Sequence, residues 1–435
     1  MNLQAEILKT PIPGPKSRAL AARLAKCESR GVTTLKDPSP IVWASAEDVF
    51  VTDVDGNRYV DLTAAFGVAG VGHSNPKVVA AIADQAATLM HGMGDVHPTL
   101  PRIELLERLR AIAPFEDALG FLCSSGSDAV EFALKTAYLS TGGPDALAFE
   151  GAYHGLTLGA LEVGGNPKFR RPFAGQLRQR ASFVRFPDRR EPDSGPHTLE
   201  QIEKQLSKER GIGAIIVEPI QGRAGVVIPP KGFLPGLRKL SNERDILLIF
   251  DEIFTGFGRT GTMFACEHET VEPDLLCLGK AMSAGFPLSA VIGKRAIMDA
   301  WEPAHGESIH TSTHLGNPMG CAAALAAINL TRELHLPERA ASLELVVERE
   351  LAVLKDHAHV VDVRGRGLLW GIEFADPAVA AEVVARALSL GLILLQSGLR
   401  GEVVAISPPL VISEALLIHA LSRITTIVDN VTVPA

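Results

Sequence analysis

The sequence predicts an α/β protein in which a mainly parallel, doubly wound sheet forms a large domain and a smaller α+β domain accompanies it. From about residue 119, seven apolar runs alternate with helical or looped stretches, as in a series of βαβ units. After about residue 330 the pattern changes to amphipathic helices interleaved with short strands. The seven runs are LGFLC, DALAFE, ASFVRF, IGAIIVEP, DILLIFDE, DLLCLGK and LSAVIG.

The elements before the seven runs are an arm, a hairpin and a helix. Prolines interrupt the N-terminal arm, which has one helical stretch near residues 17–29. Asp55-Gly56-Asn57 separates two alternating runs, as in a β-hairpin. Asn75 and Pro76 then begin a helix, whose apolar positions are Val79, Ile82, Ala86 and Leu89.

The change of pattern near residue 330 divides the chain into three parts. Amphipathic helices are predicted at about 337–357 and 377–390, with short strands in VVDVRGRGLLWGIEF, LILL and VVAI. We expect residues 63–327 to form the large domain. Residues 1–62 would form the arm and part of the small domain, and residues 328–435 the remainder of the small domain.

The composition is that of a folded protein and shows no sign of a nucleic-acid or membrane partner. Of its 435 residues 46% are hydrophobic, and 42 Lys and Arg against 50 Asp and Glu give a net charge of −8. No basic run suggests contact with a phosphate backbone. No stretch reaches the roughly 18 apolar residues of a membrane span, and no apolar leader begins the chain. Five scattered cysteines, without C-x-x-C spacing, indicate a reducing, cytoplasmic location.

Three ionisable side chains end three of the apolar runs. Glu218, Asp251 and Lys280 follow IIV, LLIF and LLCLG at the spacing of βαβ units, so they are expected to meet at one sheet edge. A buried carboxylate needs a cation or several hydrogen-bond donors. A desolvated lysine loses its proton readily and can form a Schiff base with a carbonyl. A simple ion pair between Asp251 and Lys280 is the structural alternative.

A Ser-Ser-Gly-Ser turn supplies a second candidate feature. In LGFLCSSGSDAVEFALKTA a strand and a turn precede a helix, whose first N–H groups can bind phosphate, although an ordinary helix cap is the alternative. A P-loop ATPase, in which an apolar strand can also end in Asp-Glu, is not expected because the sequence contains no G-x-x-x-x-G-K-[ST] motif. No metal is predicted, because Gly-Asn-Pro interrupts any helix that could present His305, His310 and His314.

Together these features resemble the class III pyridoxal-phosphate-dependent aminotransferases of fold type I. The resemblance covers nearly the whole chain and keeps the order and spacing of the family's motifs. The matching stretches are DGNRYVDL, GHSNP, SSGSDAVEFALKTA, GAYHG, VEPIQG, DEIFTGFGRTG, LGKAMSAGFPLSAVIG, THLGNP, VRGRG and PPLVIS.

The resemblance implies pyridoxal 5'-phosphate as the cofactor. Lys280 is similar to the lysine that holds this cofactor as a Schiff base and moves the substrate proton, and Asp251 to the acid that keeps its ring nitrogen protonated. The other implied contacts are Tyr153 and Ile253 on the ring faces, Gly126 and Ser127 at the phosphate, and Glu218 in support. Thr313 resembles the threonine that reaches the neighbouring subunit's phosphate, which implies a homodimer with shared sites.

The departures from the family's pattern bear on the substrate. Relatives that act on aminobutyrate, ornithine or acetylornithine carry a glutamate after EPxQG and an arginine before Pro-Pro-Leu, where this sequence has Arg223 and Ala405. Leu156 replaces an arginine after His-Gly, and Phe254 replaces a glutamine near the cofactor. An aminobutyrate-type specificity is therefore not expected.

Three residues are candidates for substrate binding. Arg223 beside the active-site edge suits a carboxylate, since a guanidinium fork matches it. Arg400 lies in the loop where related enzymes carry a mobile arginine, with a turn residue as the alternative. Phe66 is expected on the apolar side of the pocket, with plain core packing as the alternative.

These residues predict amino-group transfer between an amine or amino acid and a 2-oxo acid, through a pyridoxamine phosphate form of the cofactor. The alternative is a class III racemase or epimerase, because those enzymes also lack the arginine that Ala405 replaces. Arg223 argues against it, since arginine cannot act as a second acid and base near neutral pH. A non-catalytic relative is disfavoured by the retained Lys280.

Overall fold

The computed structural model describes residues 6–35, 40–209, 211–303 and 305–431. Its strands form three sheets of four, seven and four strands. In chain order these strands are β1 (Trp43–Glu47), β2 (Phe50–Asp53), β3 (Arg58–Asp61), β4 (Ala118–Cys123), β5 (Asp145–Phe149), β6 (Ala181–Val184), β7 (Ile212–Val217), β8 (Leu247–Asp251), β9 (Leu275–Leu278), β10 (Ser289–Lys294), β11 (Val360–Arg366), β12 (Leu369–Phe374), β13 (Leu392–Ile393), β14 (Leu395–Ser397) and β15 (Val403–Ile406).

The α-helices cover the sheets and connect them. They are α1 (Pro15–Leu24), α2 (Ala64–Gly67), α3 (Pro76–Thr88), α4 (Leu100–Ile112), α5 (Gly126–Thr141), α6 (Leu158–Val163), α7 (Pro167–Arg170), α8 (Ser194–Lys208), α9 (Phe233–Glu243), α10 (Arg295–Met298), α11 (Pro318–Glu333), α12 (Leu336–Leu351), α13 (Pro377–Ser389) and α14 (Glu414–Asp429). Short 3-10 helices span Arg171–Gln176, Ala265–Glu269, Lys280–Ser283 and Ala352–Asp356. No helix of the described residues is long and apolar enough to span a bilayer.

The seven-stranded sheet confirms the predicted fold class. Its strand order is β4-β10-β9-β8-β7-β5-β6, and each of the seven apolar runs forms one of these strands. β10 is antiparallel to both its neighbours, and the remaining pairs are parallel. The carboxyl ends of β4, β5, β7, β8 and β9 consequently lie at the same edge of the sheet, where ligands bind in such folds.

Both faces of this sheet are covered, which explains why its strands are continuously apolar. Along β7, Ile215 and Val217 belong to one buried cluster, whereas Ala214 and Ile216 belong to another. Successive side chains of a strand point to opposite faces, so the two clusters are the two sides of a doubly wound sheet.

The N-terminal and C-terminal segments share a sheet. β1, β2 and β3 form an antiparallel meander, as the Asp55-Gly56-Asn57 turn predicted, and β13 pairs with β3 in parallel. The other small sheet, β11-β12-β15-β14, is antiparallel. The domain boundaries remain a prediction: position 62 follows β3 and position 327 lies inside α11. Residues 1–5, 36–39, 210, 304 and 432–435 of the predicted parts lie outside the described residues.

The predicted apolar face of α3 is wrong by one residue at its start. Asn75 caps the helix by accepting the N–H of Lys77, as expected. However, Val78 is the residue buried in the core, whereas Val79 is 50% exposed and Leu89 is also exposed. Val78 and Val79 are adjacent, so either of them fits the spacing of an apolar helix face almost equally well. Packing of α3 against α11 buries Val78.

Candidate active site

A cavity of about 620 Å³ opens at the carboxyl edge of the large sheet. Every predicted site residue except Thr313 and Arg400 lines it. Asp251 ends β8, Glu218 follows β7, and Lys280 follows β9 after one glycine. Because these strands are parallel neighbours, the sequence brings the two carboxyls and the amine to one place.

Asp251 is buried at the bottom of the cavity and pairs with a histidine. Its Oδ2 accepts a hydrogen bond of 2.7 Å from Nδ1 of His154, and its Oδ1 accepts the N–H of Ile253. Burial alone would lower the pKa of His154, but Asp251, with a smaller contribution from Glu218, outweighs it and raises that pKa. The simple ion pair between Asp251 and Lys280 is therefore not what the structure contains.

Lys280 occupies a strained backbone position. Its φ of +46° lies in the left-handed region, which residues other than glycine rarely adopt away from functional sites. The Nζ atom lies 4.6 Å from the centroid of the Phe254 ring. Burial lowers the pKa of the Lys280 amine. The carboxylate of Asp251 offsets part of this decrease, and the guanidinium of Arg223 lowers the pKa further. The amine thus loses its proton more readily than an exposed lysine.

Glu218 holds the backbone on two sides of the cavity. Its Oε1 accepts the N–H of Tyr153 at 2.9 Å, and its Oε2 accepts the N–H of Gly222 at 3.1 Å. Burial raises the pKa of Glu218 to about 7, against the effect of nearby His154 and the two N–H donors. Glu218 therefore fixes both the segment that carries Tyr153 and the loop that carries Arg223.

The N-terminus of α5 supplies free donors at the cavity wall. Ser125 caps the helix by accepting the N–H of Asp128, whereas the N–H groups of Gly126 and Ser127 belong to the first turn and have no partner within the helix. A side chain at Gly155 would place its Cβ 2.0 Å from Ser127 Oγ. The close approach of Gly155 keeps this end of the cavity narrow, and the free N–H groups can bind an anion there.

Arg223 extends into the cavity from a short loop. We call residues 221–227 the arginine loop; Gln221 and Val227 close it by pairing their backbones. The guanidinium carbon of Arg223 lies 5.2 Å from the Tyr153 ring centroid and 5.3 Å from that of Phe169. Aromatic faces attract a cation and leave its N–H groups free to bind a further ligand.

Phe254 fills a gap between two glycines. A Cβ at Gly67 would lie 2.4 Å from its ring, and one at Gly222 would lie 2.3 Å from it. The ring therefore packs directly against two backbone segments and presents its face to the Lys280 amine. Such packing requires glycine at both positions.

Phe66 lies in α2, a single turn beside the cavity whose backbone is left-handed and therefore not that of a regular α-helix. Ala64, Ala65 and Phe66 have φ values of 46°, 48° and 65°, and Gly67 follows with 82°. The carboxylate of Asp61 accepts the N–H of Ala65 and so holds this turn. Phe66 is 63% exposed and lines the cavity, so it is not a core residue.

Thr313 and Arg400 lie outside the cavity. Thr313 is exposed on a loop that His310 joins to the start of α5, through a contact of 3.2 Å with Asp128. Arg400 is exposed in a turn, where its backbone N–H donates to Glu402. The described chain therefore brings neither side chain to the site by itself.

His154, the partner of Asp251, is not among the residues predicted from the sequence. The need of a buried carboxylate for a cation, together with the histidine in GAYHG beside Tyr153, was the signal that could have identified it. The described residues contain no cluster of three or more His, Cys, Asp or Glu side chains that could hold a metal. His310, considered as a metal ligand, instead contacts Asp128 and Lys135.

The fold and the site define a doubly wound α/β enzyme whose cavity is lined by a lysine, a histidine-paired carboxylate and the first N–H groups of a helix. The chain belongs to the class III aminotransferase family, whose sequence model matches residues 33–428. It is 38% identical to an acetylornithine aminotransferase of Methanopyrus kandleri, over 88% of this chain and 93% of that protein. It is 36% identical to a 4-aminobutyrate aminotransferase of Mycobacterium leprae, over 98% of this chain and 99% of that protein.

Structural similarity leads to the same family. An amine transaminase of an uncultivated Pseudomonas species, solved in its PLP-bound form, matches with a TM-score of 0.86 and 30% identity over 92% of this chain and 98% of that one. An alanine/serine racemase of Pyrococcus horikoshii is 34% identical over 95% of this chain and 90% of that protein. The family and these relatives make the chain a class III transaminase, with a racemase as the weaker alternative.

Proposed function

We propose that the chain uses pyridoxal 5'-phosphate, held by Lys280, to move an amino group between an amine or amino acid and a 2-oxo acid. The observation that carries this proposal is one cavity shared by a readily deprotonated lysine, the Asp251–His154 pair and the free N–H groups of α5. When bound, this cofactor supplies an aldehyde that takes up the amino group and a ring that accepts electrons. The residues fit a small aromatic aldehyde that carries a phosphate.

Lys280 and Asp251 would have the two central roles. The neutral amine of Lys280 is nucleophilic and can carry a proton to and from the substrate carbon. Asp251 would hold a proton at the cofactor's ring nitrogen, because its negative charge favours a cationic neighbour. His154, whose pKa is raised, would fix the orientation of Asp251 by donating from Nδ1.

The other proposed contacts with the cofactor follow from where each residue lies around the cavity. Gly126 and Ser127 would donate backbone N–H groups to the phosphate, where the helix dipole also favours an anion. Tyr153 and Ile253 line the cavity and would cover the two ring faces. Glu218 would act through the backbone segments that it holds.

Arg223 is our candidate for the substrate carboxylate. Arg223 lines the cavity, and its guanidinium lies against the rings of Tyr153 and Phe169. A guanidinium can bind a carboxylate through two parallel hydrogen bonds. Phe66 would provide an apolar wall. Arg400 is at most a secondary candidate, because it lies in an exposed turn outside the cavity.

We further propose a homodimer with shared active sites. Thr313 is exposed and outside its own cavity, as expected of a residue that serves a neighbour. Exposed apolar side chains near this loop offer a surface for a second copy: Met90, Met93, Val96 and Ile309. A cytoplasmic location is likewise proposed, because all five cysteines are unpaired.

A spectral panel of half-reactions tests the reaction class. Holoenzyme is mixed with α-amino acids, ω-amino acids, diamines and simple amines without any oxo acid, and the absorbance of the cofactor is followed. A transaminase loses the aldehyde form of its cofactor with at least one donor and recovers it with a 2-oxo acid. If no donor changes the spectrum, transamination is refuted.

The racemase alternative makes a different prediction. A racemase exchanges the α-proton of an amino acid in deuterated buffer without any oxo acid, and optical rotation is lost at the same time. The 34% identity to a racemase makes this control necessary. Exchange with loss of rotation, in the absence of amino transfer, would replace the proposed reaction.

A further inference from the structure

The motif VRGRG contains a fully buried arginine that the proposed reaction does not use. Arg364 lies on β11 and is 1% exposed. Its Nη1 donates to the carboxylates of Asp362 at 3.1 Å and Glu373 at 2.6 Å, which balance its charge. Burying a guanidinium costs free energy unless such partners are present, so its burial calls for a structural reason.

Arg364 holds the backbone of the arginine loop. Its Nε donates to the carbonyls of Gly225 and Val226, both at 3.0 Å, and its Nη2 donates again to Gly225. Only a planar guanidinium fork can reach two successive carbonyls and a carboxylate at once. The loop that carries Arg223 is thus bound to a strand of the small C-terminal sheet.

The held segment is strained. Val226 has φ +55°, an outlier for a β-branched residue, and it is fully buried in a cluster with Leu369 of β12. Gly225 has φ +111°, and a Cβ there would lie 2.8 Å from Val403 Cγ2. A strained loop keeps its conformation only where its surroundings determine it.

A second contact fixes the other half of the loop to the same sheet. The hydroxyl of Ser397, at the end of β14, donates towards the carbonyls of Gly222 at 3.1 Å and Arg223 at 2.9 Å. The N–H of Gly398 also donates to the Arg223 carbonyl. The carbonyls on both sides of the Arg223 side chain are therefore bound to the small sheet.

We infer that Arg364 is a positioning residue that holds the Arg223 guanidinium where it can bind a substrate carboxylate. This inference rests on the proposed role of Arg223. The small C-terminal sheet, through Arg364 and Ser397, then determines how well a carboxylate is recognised. Misplacing a binding group by about 1 Å costs up to roughly 100-fold in rate or affinity.

Arg364→Lys tests the inference with a matched control. Lysine keeps the charge but cannot bind two carbonyls and Glu373 together. Arg339→Lys is the control, because Arg339 also donates to two backbone carbonyls, those of Leu410 and Ile412, but away from the arginine loop. The probes are pyruvate and 2-oxoglutarate as carboxylates and 1-phenylethylamine as a donor without one.

We expect Arg364→Lys to raise the half-saturating concentration of the accepted oxo acid about 10-fold or more. The half-saturating concentration of 1-phenylethylamine and the limiting rate should change by no more than about twofold. Arg339→Lys should leave the half-saturating concentrations of both kinds of substrate unchanged. In a double-mutant cycle, Arg364→Lys should add little to Arg223→Ala, because both act through one guanidinium. Equal effects on both kinds of substrate, or full additivity, would overturn the inference.

Two further results separate this inference from the proposed function. If Arg223→Ala weakens oxo acids selectively but Arg364→Lys does not, the inference fails and the role of Arg223 stands. If Arg223→Ala has no selective effect, that role fails and the inference fails with it. Should Arg364→Lys not fold, Glu373→Gln weakens the ion pair of Arg364 from its more exposed side and should give a smaller selective rise; no rise would overturn the inference.

Discussion

Lys280 follows β9 after one glycine, and its neighbours determine how readily its amine loses a proton. Burial, the carboxylate of Asp251 and the guanidinium of Arg223 act on one group in known directions. The direction in which each neighbour shifts the pKa of Lys280 can therefore be predicted residue by residue.

The first prediction concerns the attachment of the cofactor. Lys280→Ala should abolish the adduct that borohydride traps between pyridoxal 5'-phosphate and the protein, because no other amine lines the cavity within the described residues. Mass spectrometry of the digested protein locates the adduct.

Lys294→Ala is the matched control for this experiment. Lys294 ends the neighbouring β10 and pairs with Asp274, but β10 runs in the opposite direction and Lys294 does not line the cavity. Its removal should leave the adduct in place. An unchanged adduct in Lys280→Ala would show that another lysine carries the cofactor.

The second prediction concerns the pKa of Lys280 in the apoenzyme. The neutral amine is the reacting form, so its rate of reductive alkylation by acetaldehyde and cyanoborohydride rises with pH and levels off above the pKa. Asp251 raises this pKa and Arg223 lowers it. Asp251→Asn should consequently shift the midpoint to lower pH, and Arg223→Ala should shift it to higher pH. Shifts of the same sign would contradict this electrostatic account.

At the residue scale, the sequence identified the residues at strand ends but not their partners. Glu218, Asp251 and Lys280 were predictable because a polar residue after a buried strand must lie at the sheet edge. The pairing of Asp251 with His154 was not, because His154 comes from the loop after β5, and only the order of strands brings it near.

The strands of the large sheet show which elements a sequence can determine. All seven were predictable, because a strand covered on both faces must be apolar throughout. The reversed direction of β10 was not, because an apolar run has the same composition in either direction. The buried face of α3 was not fully predictable, because packing against α11 selects it and the spacing of apolar residues within α3 does not show where α11 lies.

The third prediction tests the anion site at the start of α5. Gly155→Ala would force a Cβ to within 2.0 Å of Ser127 Oγ at φ +116°, so the first turn of α5 must shift. We expect the affinity for pyridoxal 5'-phosphate to fall about 10-fold or more, since hydrogen bonds to a charged group are lost. Titration of the apoenzyme, followed by absorbance, measures this affinity.

Gly142→Ala is the control at the other end of the same helix. Gly142 is the left-handed C-cap of α5, with φ +74°, and a Cβ at this position would have no atom within 4 Å. Its substitution should cost about 1 kcal/mol of stability through the backbone alone and leave the affinity unchanged. A loss of affinity as large as that of Gly155→Ala would show that the effect is general to the helix.

At the scale of the whole molecule, the N-terminal and C-terminal segments join in one small sheet, β1-β2-β3-β13, and the other small sheet, β11-β12-β15-β14, holds the arginine loop. The sequence indicated a small unit because both ends of the chain differ in pattern from the middle. It could not show the backbone contacts of Arg364, because they join residues far apart in the chain.

The fourth prediction tests the shared sites of the proposed dimer. Lys280→Ala and Thr313→Ala chains are mixed, unfolded and refolded together. If Thr313 serves the neighbour's site, a mixed dimer has one site with both an intact Lys280 and an intact Thr313, so half of its sites regain tight cofactor binding. Because about half of the dimers in an equal mixture are mixed, titration with pyridoxal 5'-phosphate should find tight binding at about a quarter of all sites. Each mutant refolded alone is the control. No recovery in the mixture would place Thr313 in the site of its own chain.

The central claim is that nitrogen is transferred, and an isotopic label tests it most directly. Purified holoenzyme is incubated with an amine donor carrying heavy nitrogen and with unlabelled 2-oxo acids, and the mass of each amino acid product is measured. A transaminase of this family places the heavy nitrogen in the amino acid formed from the oxo acid. Product without the label, or inversion of an amino acid with its own nitrogen retained, would contradict the account.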